Sequence, residues 1–227
     1  MRYLGFLILL WSLPFSSMAT ERVPAFPNLK TVDVPSRIFK IRVHYDPLIT
    51  KLENKQLNEG GIKSVVVLTT RIDRTKSQRY EITYSDGPSA DPAFYVSKAG
   101  TNEGVGGFAG IELFIPGNGS VYVSGHTNSL FDHRQKYVLK GMKLVEAQQP
   151  FFYVGLESVA LREITIYSDK TLSTPVAVIP NGGKLSILVN EGDYFLIKTP
   201  FGLLGWTKYR PERLGEDFVK GLFFNGD

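Results

Sequence analysis

Apolar and polar residues alternate through most of this chain, and alternation with a period of two predicts strands buried on one face. From Arg37 to Tyr45 the apolar Ile38, Phe39, Ile41 and Val43 are interleaved with Lys40, Arg42 and His44. Arg79 to Tyr84 places Tyr80, Ile82 and Tyr84 on one side and Arg79, Glu81 and Thr83 on the other. Ser64 to Thr70 is rich in β-branched residues without a break, the composition of a strand covered on both faces. Ala93 to Ser97, Lys136 to Leu139 and Phe151 to Val154 supply further short strands. The clearest local unit is Ile111 to Ile115 and Ser120 to Ser124, joined by Pro116-Gly117-Asn118-Gly119. Two alternating runs around residues that tolerate positive φ predict a hairpin.

One segment carries a helical signature. Leu48, Leu52 and Gln56 recur at i, i+4 and i+8, Pro47 suits a first turn, and Gly60-Gly61 is a stop, so a helix is expected over Pro47 to Leu57. Gly100 to Gly110 reads as a loop or a set of tight bends. Within it, Gly104 to Ala109 has the letter spacing of a dinucleotide fingerprint. The run that follows, Ile111 to Pro116, reads as strand and turn where such a site needs a helix, so the match is set aside. Residues 20–36, with Pro24 and Pro27, read as an extended lead-in. Short strands bounded by turn signals argue for an all-β fold, with a β-rich sandwich or meander over residues 37–150. Gln148-Gln149-Pro150 is the best boundary, and residues 211–227 read as a tail with one or two helical turns around Phe218 and Leu222.

The opening of the chain changes the picture. Arg2, the apolar run Leu4 to Leu13, Pro14 and Ser17-Met18-Ala19 have the layout of a secretory signal cleaved after Ala19. Its ten or so apolar residues fall short of the roughly 20 needed to span a bilayer. The mature protein is therefore expected to begin at Thr20, to be periplasmic or extracellular, and to carry no transmembrane segment. The chain contains no cysteine, which removes disulfides, thiolate catalysis and cysteine-based metal sites. Stability must come from burial, for which 43% hydrophobic and 12% aromatic residues suffice. The net charge of +4, which falls to +3 without Arg2, is scattered. Without a basic stripe no nucleic-acid partner is expected, and mild attraction to an anionic envelope fits better.

Residues 158–208 have a family look. Ala160-Leu161-Arg162 opens the segment, and Thr174 to Pro180 leads into Gly182-Gly183. Leu185 to Leu188, Glu191-Gly192-Asp193-Tyr194 and Phe201 to Lys208 with Gly205-Trp206 complete it. The segment resembles the bacterial SH3-like domain of exported and wall-associated proteins, whose leucine-arginine, valine-isoleucine-glycine, glycine-aspartate-aromatic and glycine-tryptophan signatures occur here in order. Tyr194 stands where that family more often has Trp. The resemblance implies a small β-barrel over residues 151–210, opened by a strand at Ala160 to Arg162, and covers about a quarter of the chain.

Chemistry is sparse by comparison. His126 and His133 flank Asp132 without a recognised ligand spacing, so no metal site is expected. Ser124 lies two residues before His126, but no Gly-x-Ser-x-Gly elbow surrounds it. Asp and Glu are dispersed, and neither catalytic residues nor a cofactor is expected. The candidate binding residues are Tyr194, Trp206, Lys198 and Tyr209. Tyr194 falls on the strand face opposite Phe195 and Ile197, whereas Trp206 either lies across a groove after Gly205 or caps the barrel core. The expected function is that of an exported bacterial, non-enzymatic binding protein engaging cell-wall peptide or an envelope protein. The alternative is a wall hydrolase or peptidase targeted by the SH3-like domain.

Overall fold

The computed structural model describes residues 25–59, 62–87, 89, 91–101, 103–125, 128–210 and 218–224. The expected signal, His126 and most of the tail lie outside them. The described chain is all-β. Its strands are β1 (Lys30–Val34), β2 (Ile41–Tyr45), β3 (Thr50–Glu59), β4 (Ile62–Thr70), β5 (Tyr80–Ser85) and β6 (Ala93–Lys98). They continue with β7 (Gly104–Ala109), β8 (Glu112–Ile115), β9 (Ser120–Gly125), β10 (His133–Lys140), β11 (Lys143–Glu146) and β12 (Phe152–Val159). Last come β13 (Ile164–Tyr167), β14 (Pro175–Ile179), β15 (Lys184–Glu191), β16 (Tyr194–Lys198) and β17 (Leu204–Lys208).

Two sheets share the first core. One runs β1-β2-β8-β9-β10-β11 and the other is the meander β3 to β7. Ile41, Val43, Leu113, Ile115, Val121 and Val123 from the first pack against Leu68, Ile82, Tyr84, Phe94 and Val96 from the second, all within a few per cent of full burial. This is a sandwich in which the period-two alternation points one face of each sheet inward. The expected hairpin is present as β8–β9, with Glu112 opposite Ser124 and Leu113 opposite Val123. Asp86, just past β5, ties the connection between β1 and β2 to the meander. It accepts the Ser36 and Tyr84 hydroxyls at 2.6 Å each and the Arg37 backbone N–H at 3.2 Å.

Four local expectations are corrected. Pro47 to Leu57 is not helical, since Thr50–Glu59 pairs along its length with β4. The stripe that suggested a helix has nothing to bury against: Leu48 is 86% exposed and Leu52 46%. Gly104 to Ala109 is an edge strand rather than a loop, and its glycines answer to close neighbours. A Cβ on Gly106 would lie 3.1 Å from the Leu144 Cβ, and one on Gly107 3.3 Å from the Tyr95 ring. The lead-in contains β1, which pairs antiparallel with β2 from Lys30 opposite Tyr45 to Val34 opposite Ile41. In the tail, residues 218–224 form no helical turn. Val219 bridges Ala160 instead, and Phe218, Val219 and Leu222 fill the C-terminal core.

The third sheet has the order β12-β15-β16-β17-β13-β14 around its own cluster of Ile164, Ile166, Ile179, Leu185, Ile187, Phe195 and Ile197. β12 and β14 are its edges, and among the described residues no ladder joins them into a closed barrel. The strand expected at Ala160 to Arg162 begins later, at Ile164. Gly205 permits the close approach of β13 to β17, because a Cβ there would meet the Ile166 Cβ at 2.9 Å and the Tyr167 carbonyl at 3.0 Å. Phe131, from the connection between β9 and β10, also belongs to this core and meets Phe195 edge-on at 6.4 Å. The two hydrophobic clusters are thus joined by a connection, not by a shared sheet.

Candidate functional site

The outer face of β16 and β17 carries the predicted aromatics. Phe195 and Ile197 point into the core, fully buried, which turns Tyr194, Leu196 and Lys198 outward. On β17 the same alternation turns Leu204, Trp206 and Lys208 outward. The ladder sets Leu196 opposite Trp206 and Tyr194 opposite Lys208, while Tyr167 of β13 faces Trp206 from the other side. Trp206 is half-buried on this face and is not part of the core cluster.

Local hydrogen bonds fix the site's edges. The Asn190 side-chain amide donates to the Gly192 carbonyl at 2.7 Å and to the Tyr194 carbonyl at 3.2 Å, shaping the turn that presents Tyr194. In the loop between β13 and β14, the Asp169 carboxylate accepts the Thr171 backbone N–H at 2.8 Å and its hydroxyl as well. Those bonds hold the Asp169 carboxyl below its ordinary range and shape the loop. The loop lays Lys170 across the aromatic face, with its ammonium 5.5 Å from the Trp206 ring centroid and 6.0 Å from that of Tyr194. Lys208 approaches the Tyr194 ring at 5.7 Å, and Glu191 pairs with Lys170. Two rings bracketed by two cations make a flat outward face whose chemistry suits a ligand that pairs an apolar surface with carboxylates.

The four predicted residues do not all gather there. Tyr194 and Trp206 do. Lys198 is exposed at the far end of β16, about 13 Å from Tyr194 at some 3.3 Å per residue. Tyr209 is 5% exposed in the core, its ring 4.1 Å from that of Phe218 and 6.5 Å from that of Phe195. It is a packing residue, turned inward by the same alternation that buries Gly205 and Thr207, with its backbone N–H donating to the Asp193 carbonyl. Sequence reading missed Lys170, Lys208 and Tyr167. Period-two spacing from Trp206 points to Lys208, whereas only the folded loop brings Lys170 over the rings.

Elsewhere the nearest approach to catalytic geometry is on the first sheet. Thr31 Oγ1 lies 2.8 Å from His44 Nδ1, and His44 Nε2 lies 3.3 Å from Glu112. The His44 hydrogen bond, with the nearby Arg42 guanidinium, holds the Glu112 carboxyl below its ordinary range despite partial burial. The imidazole thus bridges the Thr31 hydroxyl and the Glu112 carboxylate. Thr31 and His44 are directly opposed in the β1–β2 ladder, and Phe114 stacks on the imidazole at 4.3 Å. The arrangement pins the edge strand β1. Ser124 lies across the ladder from Glu112 and Arg134, and His133 stacks on Phe152 at 4.5 Å. Among the described residues no three His, Asp or Glu side chains assemble as a metal-binding group. No protein-family model, curated protein or solved structure matches the chain.

Proposed function

We propose that the chain is an exported bacterial binding protein without enzymatic activity. Its C-terminal sheet acts as an SH3-like module that engages cell-wall peptide or an envelope protein partner through Tyr194, Trp206, Lys170 and Lys208. The observation that carries the reading is the single lysine spanning two aromatic rings on an outward sheet face. Rigid rings give broad contact at little cost in rotamer entropy, and the cations complement the free carboxylates of a wall stem peptide. A ligand carboxylate competes with Glu191 for Lys170 and so has a ready exchange partner. Export rests on the leader at residues 1–19, and the corresponding location is periplasmic or extracellular.

Among the described residues, the hydrolase alternative would rest on Thr31, His44 and Glu112. Their hydroxyl–imidazole–carboxylate order has the logic of an activated nucleophile. The direct cross-strand pairing of Thr31 with His44 accounts for the contact without chemistry, so binding is the preferred reading. A pull-down of the processed protein on purified peptidoglycan tests it, with co-bound envelope proteins identified in the same experiment and the N-terminus sequenced. Wall retention, or one specific envelope protein, with an N-terminus at Thr20 supports the proposal. Recovery of neither ligand, or cleavage of wall material, contradicts it.

A further inference from the structure

The turn between β16 and β17 is built to display apolar side chains that the fold does not use. The Thr199 carbonyl accepts the Gly202 N–H at 2.9 Å, and its N–H donates to the Leu203 carbonyl at 2.9 Å. Its hydroxyl accepts the Leu203 N–H at 3.0 Å. Pro200 presets φ at the first central position of the turn, and Gly202 takes a φ of +99°. Thr199, Pro200 and Gly202 therefore make the turn, and nothing in its geometry asks for an aromatic residue between them. Phe201 nevertheless stands there 88% exposed, followed by Leu203 at 40% and Leu204 at 49%.

Lys198, directly opposite Leu204, and Lys184 at the start of β15 mark the end with the apolar turn. Glu191 and Asp193 lie at the other end together with Lys170 and Lys208, about 13 Å away along β16. Pro200 and Lys184 also line a shallow cleft of about 400 Å³, whose other wall contains the exposed Glu157. The turn is a convex, hydrogen-bonded knob of one aromatic and two aliphatic side chains with lysines behind it. A knob of that shape suits the headgroup–acyl boundary of a bilayer, where apolar tips enter and lysines stay at the anionic surface.

We infer that the Pro200–Leu204 turn is a membrane-contact tip that takes an anionic lipid surface. This inference is independent of the ligand read at Tyr194 and Trp206, which lie further along the same face. The test is co-sedimentation of the processed full protein with vesicles of phosphatidylglycerol and phosphatidylcholine in equal parts, and with vesicles of phosphatidylcholine alone. Binding is expected on the anionic vesicles, weakening with salt and at least tenfold weaker on the neutral ones. Phe201→Asp should cut it by a factor of ten or more with an unchanged melting temperature, and Lys184→Gln and Lys198→Gln by roughly fivefold each. Tyr194→Ala should leave it intact. Failure of the wild type to bind anionic vesicles overturns the inference, as does equal binding by a folded Phe201→Asp. Loss of a protein partner rather than of lipid in Phe201→Asp overturns it too, and assigns the knob to a protein pocket.

Discussion

The ammonium of Lys170 lies 5.5 Å from the ring centroid of Trp206, although the two residues come from a loop and a strand that are far apart in sequence. The contact ties the β13–β14 loop to the outer face of β17, and pairing with Glu191 ties it to β15. Exposed cation–ring and ion-pair contacts contribute about 1 kcal/mol or less to stability. Lys170→Ala should therefore leave the urea midpoint almost unchanged. Wall or partner binding should fall ten- to a hundred-fold, the scale of a lost hydrogen bond to a charged group. Intact binding in Lys170→Ala would remove the loop from the site.

Tyr209 makes the opposite prediction. Its ring packs against Phe218 and near Phe195, so Tyr209→Ala should destabilise the C-terminal sheet by about 3–5 kcal/mol, as for other buried large-to-small changes. Equilibrium urea unfolding measures this. A variant that kept full stability and lost only binding would return Tyr209 to the binding role first expected of it.

Glu112 gives a pH dependence of defined sign. The His44 hydrogen bond and the Arg42 charge depress its pKa in the folded state. A depressed carboxylate contributes stability that is present above its unfolded pKa, about 4.3, and is lost as pH falls through the folded value. Urea midpoints measured from neutral pH downward should hold until about pH 4.3 and then decline. Glu112→Gln should start lower at neutral pH and show a shallower acid decline. Parallel profiles for the two proteins would mean that Glu112 does not contribute to the acid transition.

Much of the strand content was legible because alternation reports one-sided burial. Tyr80, Ile82 and Tyr84 face the sandwich core, and Phe195 and Ile197 face the C-terminal core, as their spacing required. The β8–β9 hairpin was legible from two alternating runs around Pro116-Gly117-Asn118-Gly119. β3 was not, because an exposed edge strand with Leu48 and Leu52 in solvent has no buried side to impose a period, and the leucines happened to fall at helical spacing. β7 was hidden because glycines chosen for the closeness of Leu144 and Tyr95 resemble loop glycines in one dimension. Phe131 belongs to a core that starts some twenty residues later in sequence, a long-range relation that local pattern does not encode. The candidate site was half legible. Tyr194 followed from strand alternation and Trp206 from its place after the Gly205 bend, but Lys170 reaches them only through the fold of its loop.

In the proposed processed form, which lacks Trp11, Trp206 is the single tryptophan, so tryptophan emission reports on the proposed site. The most direct measurement is a titration of the processed protein with soluble wall stem-peptide fragments, and with any envelope partner recovered by pull-down, following Trp206 emission. The proposal predicts a saturable change in intensity or wavelength, markedly weakened in Lys170→Ala and Tyr194→Ala but preserved in Lys198→Ala. If a ligand binds while Trp206 emission stays constant and the Lys170 and Tyr194 variants bind as the wild type does, the aromatic face of β16 and β17 is not the binding surface.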